Sequence, residues 1–301
     1  MKERIRKRDE QMMKKYHIIS NLTAGKTKSV KNLEKTEKVF SERGVSYETH
    51  FTKSVGDATE ITRELTLAGE KEIIAIGGDG TLHEALNGLA DPTACHLGLI
   101  PSGTGNDFAQ KAGISLDAEE TAKFILENEP KDTDYIEISG RRCMNVSGLG
   151  IDVEVLERCQ RGKLKGKIKY FISLIQTIFK YKGTKITVEA DGNKEEYDAL
   201  LANACNGSVF GGGIKICPTA EIDDGKLDAI VVENLGGKFK IISALIQLMK
   251  GKILEHPKAK HILCESLSLS TPTPCTIQMD GELYKGVPFI AKIKRGLKFY
   301  R

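Results

Sequence analysis

Short apolar runs alternate with amphipathic segments through the first part of the chain. Residues 16–20 (YHIIS) predict a buried strand, and residues 29–43 a helix with Leu33, Val39 and Phe40 facing the core and Gly44 ending it. Residues 45–51 predict a second strand and 56–68 a second helix with Asp57 near its start. Residues 73–76 and 96–100 predict a third and a fourth strand. Strands and helices alternating at this length predict a doubly wound parallel sheet. Near Asp134 the period changes. Residues 135–139, 143–147, 185–190, 197–204, 226–232, 266–269, 276–279 and 289–294 are short and often alternating. Asp191-Gly192-Asn193 reads as a hairpin turn between two of them. The expected architecture is α/β plus all-β: a polar basic arm at 1–15, an α/β domain over 16–134 and a largely antiparallel β domain over 135–295. The segment 296–301 is too short to stand alone and is expected to return to the first domain.

Two helical segments interrupt the β pattern. Residues 158–185 hold nine Lys or Arg and no acidic residue, interleaved with Tyr170, Phe171, Ile172, Leu174, Ile175, Ile178 and Phe179. Residues 238–254 also read as an amphipathic helix. A basic amphipathic helix fits an anionic membrane surface. It equally fits a core-packed helix with a solvated lysine face, since a helix on a β domain needs an apolar side in any case.

Composition narrows the field without deciding it. With 301 residues, 40% of them hydrophobic and 29% charged, the chain is long enough for two soluble globular domains. A net charge of +4 gives no case for nucleic-acid binding. The seven cysteines are odd in number, widely spaced and without a CxxC pair, which suggests neither a zinc site nor a disulfide framework and fits a reducing cytoplasm. The arm lacks the apolar core of a signal peptide, and no 18-residue apolar span occurs, so a cytoplasmic protein, soluble or peripheral to a membrane, is expected. The six histidines form no spaced ligand set and are assigned no chemistry.

The candidate chemistry lies where strands end in glycines. The third strand runs into Gly77-Gly78-Asp79-Gly80-Thr81 and then a helix start. Glycines admit close backbone approach, and a helix start offers unpaired N–H groups, so this reads as a phosphate cradle, the alternative being a tight βα turn alone. Asp79 inside it either partners a bridging divalent cation or caps the helix within a tight βα turn. The fourth strand opens into Pro101-Ser102-Gly103-Thr104-Gly105-Asn106-Asp107, a second loop of the same kind, whose alternative is a helix capped by Asn106 or Asp107. Ligands on such sheets bind at the carboxyl ends of the strands, where both loops would lie. Gly25-Lys26-Thr27 is not a P-loop, because Ser20 stands where that pattern requires glycine. In the second domain Gly148-Leu149-Gly150-Ile151-Asp152 reads as a glycine turn, 218–228 (PTAEIDDGKLD) as an acidic turn able to hold a cation, and Asp280-Gly281-Glu282 follows a strand.

With GGDGT, PSGTGNDFA, GLGID, PTAEIDDGKLD and DGE in that order, the sequence resembles the diacylglycerol kinase catalytic-domain family, in its bacterial soluble lipid kinase branch, related to sphingosine kinases and more distantly to NAD kinases. The likeness runs from about Tyr16 onward. It implies a nucleotide domain, a C-terminal β-sandwich and an active site in the cleft between them. It also implies that Gly77, Gly78, Asp79, Gly80, Thr81, Leu82 and His83 hold ATP phosphates, with Asp79 organising a catalytic Mg²⁺. Gly103, Thr104, Gly105, Asn106 and Asp107 would complete the phosphate site, with Asn21 and Thr52 as further nucleotide contacts. Leu22 replaces the proline the family carries after that Asn. Glu282 matches the general base. Asp224 matches the ligand of a structural Mg²⁺, with Glu221 and Lys226 contributing carbonyls and Asp134 joining through water. The resemblance thus implies an ATP- and Mg²⁺-dependent kinase acting on a lipid at an anionic membrane surface, with diacylglycerol first among acceptors. Phosphatidylglycerol, a sphingoid base or another lipid alcohol follows, then NAD, then a non-catalytic lipid-binding regulator. A homodimer is compatible with the family, though the sequence shows no self-complementary patch.

Overall fold

The computed structural model describes residues 14–21, 27–161, 166–178 and 180–301. Most of the basic arm, and Leu22, Gly25 and Lys26 of the first loop, lie outside the described residues. The chain divides into two units, Met1–Thr133 with Arg295–Arg301, and Asp134–Lys294.

The first unit contains β1 (Lys15–Ser20), α1 (Thr27–Glu42), β2 (Ser46–Phe51), α2 (Asp57–Leu67), β3 (Glu72–Gly77), α3 (Asp79–Gly88), β4 (His96–Pro101), α4 (Asp107–Lys111) and α5 (Ala118–Glu127). The strands lie in the order β2-β1-β3-β4, every neighbour parallel. β3 is buried at each of its positions, which is why it reads as an unbroken apolar run rather than an alternation. On one face Tyr16, Ile18, Ile74 and Ile100 pack with Phe40 of α1 and Ile125 of α5. Helix α5 is not among the elements that periodicity predicts. Its start signal is nevertheless in the sequence: Asp117 accepts the N–H groups of Glu119 and Glu120 as an N-cap.

The second unit continues β5 (Lys131–Ile138) with β6 (Arg141–Cys143), β7 (Val146–Gly150), α6 (Ile151–Arg161), α7 (Gly166–Ile178), β8 (Thr184–Ala190) and β9 (Asn193–Cys205). β10 (Leu227–Glu233), α8 (Lys238–Met249), β11 (Ala259–Cys264), β12 (Ser266–Ser270), β13 (Thr276–Met279), β14 (Glu282–Lys285) and β15 (Phe289–Phe299) follow. Antiparallel pairing builds a β-sandwich domain, with β14-β13-β7-β9-β8-β12-β15 in sequence and β10 and β11 extending from β9. The β8–β9 turn places Asp191 and Gly192 at φ 45° and 85°, the left-handed pair that a two-residue type I′ hairpin needs. Ile186, Val188, Ala202, Leu267, Ile277 and Phe289 belong to one core cluster. A second cluster joins Leu201 and Ile230 of the sheet to Leu174 and Ile178 of α7 and to Ile241 and Leu245 of α8. The apolar residues described within 158–185 are therefore largely core. The side chains of Tyr170 and Phe171, and Phe179 itself, lie outside the described residues.

Several boundaries differ from the sequence reading. The strand expected over 143–147 is two strands, because Met144-Asn145 breaks the ladder between β6 and β7. Gly148-Leu149-Gly150 is not a turn: it is the end of β7, and Ile151 starts α6 at once. β11 and β14 lie where no strand is predicted. β15 continues to Phe299, and Lys298 and Phe299 pair in parallel with His96 and Leu97 of β4, so the first unit's sheet gains its last strand from the end of the sequence.

Tyr300 anchors that strand. Its hydroxyl donates to Glu72 Oε2 at 2.7 Å, while His96 Nδ1 lies 2.9 Å and Lys14 Nζ 3.2 Å from Glu72 Oε1. Burial alone would raise the Glu72 carboxyl, but His96, Tyr300 and Lys14 together hold it below the usual glutamate value. A carboxylate with a depressed folded pKa contributes stability that is complete above its unfolded value and is lost as pH falls through the folded one. Glu72→Gln is expected to lower stability at pH 7 by roughly 1–3 kcal/mol, and to flatten the acid limb of the stability curve below about pH 4.3. Tyr300→Phe should cost a similar amount at pH 7. Urea unfolding between pH 3 and pH 7 checks both; an acid limb unchanged in Glu72→Gln would refute the assignment.

Candidate functional site

The carboxyl ends of four neighbouring strands carry the predicted nucleotide residues of the first unit. Asn21 follows β1 and donates its N–H to Ile76 O at 3.2 Å, and Thr52 follows β2 and donates to Ser20 O at 3.1 Å. These bonds extend the parallel ladder one residue past the strands and fix where the chain turns away. β3 and β4 end in the two glycine loops, which touch. A Cβ on Gly78 would meet Gly103 Cα at 3.0 Å, and one on Gly103 would meet Gly78 Cα at 2.5 Å. Only bare backbone fits there. Ser102 N–H donates to Gly77 O at 2.7 Å and completes the join.

Asp79 links the loops. Asp79 is the first residue of α3, after the N-cap Gly78. Its Oδ1 accepts the N–H of Phe108, at the start of α4, at 3.3 Å. In the second loop Asn106 occupies the N-cap of α4 but makes no cap bond. Instead its Oδ1 accepts Gly103 N–H and its Nδ2 donates to Gly103 O, each at 3.0 Å. Asn106 sits at φ 53°, a left-handed conformation that asparagine tolerates better than most residues. Asn106 thus shapes the loop, with its amide directed at Gly103 and not outward. Thr81, Leu82, His83 and Asp107 are also buried. Gly80 and Gly105 are half-buried and Thr104 is exposed. This set suits a polyphosphate: bare backbone in two touching loops with one half-buried carboxylate, Asp79, at their junction.

Within the second unit, Asp280 and Gly281 form a tight turn at φ 50° and 90° between β13 and β14. The Asp280 carboxylate accepts the N–H groups of Met144 and Asn145, each at 2.8 Å, and lies 3.1 Å from Cys143 Sγ. That nest of donors fixes the turn, and Glu282, the first residue of β14, is exposed beside it. Asp152 is buried in α6 and accepts from Asn203 Nδ2 at 2.9 Å and Gln278 Nε2 at 3.2 Å. Burial pushes its carboxyl above the usual aspartate range, against the pull of those two amides.

Asp134, buried, accepts Gly225 N–H at 2.6 Å and donates its own N–H to Ile222 O at 2.7 Å, which ties it to the acidic loop. Asp224 Oδ1 accepts Lys226 N–H at 2.9 Å, and Lys226 Nζ reaches Glu265 at 2.8 Å. Glu221 and Asp224 are exposed, so carboxylate and carbonyl oxygens are available to a hard cation.

The structure adds residues that the sequence reading leaves out. Asn32, buried in α1, donates to Ser102 Oγ at 2.9 Å and braces the second loop from below. An asparagine on a face with Ser29, Leu33 and Thr36 was the available signal. Phe299 packs edge-on against Phe108 at 5.2 Å, which ties β15 to the same loop. The histidines, assigned no chemistry above, include a close pair, His17 buried and His50 half-buried: His17 Nδ1 and His50 Nε2 lie 3.0 Å apart. A cavity lined by Leu174, Ile178, Leu201, Val232, Ile241 and Leu245 lies between the helices and the sheet of the second unit.

Comparison with known proteins agrees with this division. The diacylglycerol kinase catalytic domain matches residues 15–138, and the YegS C-terminal NAD kinase beta sandwich-like domain matches residues 145–297. A diacylglycerol kinase of Bacillus subtilis (strain 168) is 29% identical over 281 residues, covering 90% of each chain. One from Staphylococcus aureus (strain bovine RF122 / ET3-1) is 30% identical over 277 residues, covering 90% of this chain and 87% of that protein. The crystal structure of a diacylglycerol kinase from Bacillus anthracis str. Sterne superposes with a TM-score of 0.78 at 28% identity, over 95% of this chain and 96% of the other.

Because the two glycine loops meet backbone to backbone, Gly103→Ala is expected to force them apart. A fluorescent ATP analogue should bind the variant at least about 10-fold more weakly, a loss of about 1.4 kcal/mol, with the circular dichroism spectrum unchanged. Equal binding would mean that the junction is not where the nucleotide sits.

Proposed function

The chain belongs to the diacylglycerol kinase family, and from that premise we propose that it transfers the γ-phosphoryl group of ATP to the hydroxyl of 1,2-diacylglycerol, forming phosphatidic acid. The observation that supports this most is the junction of Gly78 and Gly103, with Asp79 joined to the start of α4 across it. Asp79 would hold a Mg²⁺ ion, which when bound neutralises charge on the transferring phosphoryl group. The N–H groups of residues 78–81 and 103–105 would position the phosphates and stabilise charge that develops on their oxygens. Glu282, exposed and fixed in place by the Asp280 turn, would accept the proton of the lipid hydroxyl during attack. A second divalent cation at Asp224, with Glu221, Lys226 and Asp134 around it, would stiffen that loop.

The lipid reading has one support within the second unit. Phe239, 88% exposed, and Ile246 and Met249, each 50% exposed, give α8 an outward apolar side, with Lys240, Lys250 and Lys252 nearby. This favours contact with an anionic membrane through α8 rather than through the apolar residues of α7.

Transfer from labelled ATP to a panel of lipids in mixed micelles tests the reaction. Labelled phosphatidic acid is expected, lost on chelation and reduced at least about 100-fold in Asp79→Ala and Glu282→Gln. Transfer to phosphatidylglycerol or a sphingoid base would replace the acceptor, and phosphorylation of NAD alone would overturn the lipid reading. Full turnover by folded Glu282→Gln would remove Glu282 as the base.

Flotation tests the surface. Binding should be stronger to anionic than to neutral vesicles, weaken with salt, and fall in Phe239→Asp. Equal binding of the variant would exclude α8 as the contact.

A further inference from the structure

The face of the first unit's sheet opposite Tyr16 and Ile18 carries side chains that a lipid kinase has no need of. His17 of β1 and Glu48 of β2 are register partners in the parallel ladder, and His50 is the partner of Ile19 two residues on. Side chains two apart on a strand share a face, so Glu48 and His50 emerge beside His17. His17 is 1% exposed, with its Nδ1 3.0 Å from His50 Nε2. A Glu48 carboxylate oxygen lies within 4.8 Å of both imidazoles. On the other side of the ring, His17 Nε2 is 3.1 Å from Glu70 Oε2, an ion-pair distance without hydrogen-bond alignment. Glu70 is 37% exposed and free to adjust.

Chemistry narrows what this group can do. Two neutral imidazoles facing each other need opposite tautomers, one donating and one accepting. Glu70 beside Nε2 favours the proton there and leaves the Nδ1 lone pair aimed at His50. A carboxylate behind the non-ligating nitrogen is the arrangement that orients metal-bound histidines. Two nitrogens on a tetrahedral Zn²⁺ at about 2.0–2.1 Å are separated by about 3.3 Å, close to the spacing present. Glu48 is held by Lys15 at 2.7 Å, but that pair is solvent-exposed and worth little, so its exchange for an ion costs little. Hard cations prefer all-oxygen sites, whereas two imidazoles and a carboxylate select a borderline transition ion.

We infer that His17, His50 and Glu48 form a binding site for a divalent transition ion of the Zn²⁺ class, with Glu70 as the positioning residue. The site lies one step back from the strand ends that carry the nucleotide residues: His17 precedes Asn21 by four residues of extended chain, roughly 13 Å at the rise of a strand, and His50 precedes Thr52 by two. An ion there joins edge strand β2 to β1 through side chains as well as through the ladder, and so stabilises the first unit. In the second unit Cys217, Asp228 and His261 form another compact group, but burial pushes the Cys217 thiol up to about 11, away from the thiolate a metal needs.

Co²⁺ titration of the full chain, stripped with chelator beforehand, tests the site. One equivalent should give the visible d–d absorption of a four- or five-coordinate ion without a thiolate charge-transfer band, and Zn²⁺ should displace it. His50→Ala, on the sheet edge, is expected to weaken binding at least 100-fold, and Glu70→Gln about 10-fold or more. Cys217→Ser should leave it unchanged. Zn²⁺ should raise the melting temperature of the parent chain and of Cys217→Ser, but not of His50→Ala. Any rise that Mg²⁺ gives should be the same in the parent chain and in His50→Ala. No d–d band, or a band intact in folded His50→Ala, overturns the inference; loss in Cys217→Ser would place the ion in the second unit.

Discussion

The contact of Gly78 with Gly103 is the constraint on which the first unit's chemistry depends. Neither position can carry a Cβ without meeting backbone of the other loop, so the ends of β3 and β4 approach as closely as two chains can. Everything nearby serves to hold that approach. Ser102 bonds back to Gly77, Asn106 closes the turn around Gly103, Asn32 supports Ser102 from α1, and Asp79 reaches across to Phe108. A polyphosphate has charge on both sides of its chain, and two loops held in contact can address both with donors already in place. Preorganisation of this kind avoids the cost of arranging dipoles during the reaction.

The second unit uses the same economy with a different device. Its DGE triplet divides the labour between two carboxylates. Asp280 spends its charge on backbone N–H groups around Asn145, and Glu282, two residues on, is left at the surface. One acid is structural and the other is available, a difference set wholly by what surrounds each.

The sequence makes the parallel strands legible because buried strands are unbroken apolar runs, and both glycine loops because glycine marks a backbone need. Other parts were hidden for physical reasons. β11 lies at an edge with most of its residues at least partly exposed, so it carries no burial pattern, and β14 is four residues long after a two-residue turn. Asn106 is visible as a residue of the loop, but no pattern says whether its amide points at a ligand or at Gly103. His17 and His50 are 33 residues apart and meet only through the pairing of β1 with β2, so spacing could not reveal them. Side-chain direction and non-local pairing are what the fold contributes beyond the pattern.

The late segment Arg295–Arg301, which holds the end of β15, has a consequence for how the protein comes into being. Residues 134–294 are made between the first unit's helices and the strand that completes its sheet. At ordinary translation speeds that interval is on the order of 10 to 30 s. Until it ends, β4 presents an unpaired edge, Glu72 lacks the Tyr300 hydroxyl and Phe108 lacks Phe299. A chain cut short within the sandwich would therefore carry a first domain that is nearly whole yet unable to finish its own sheet.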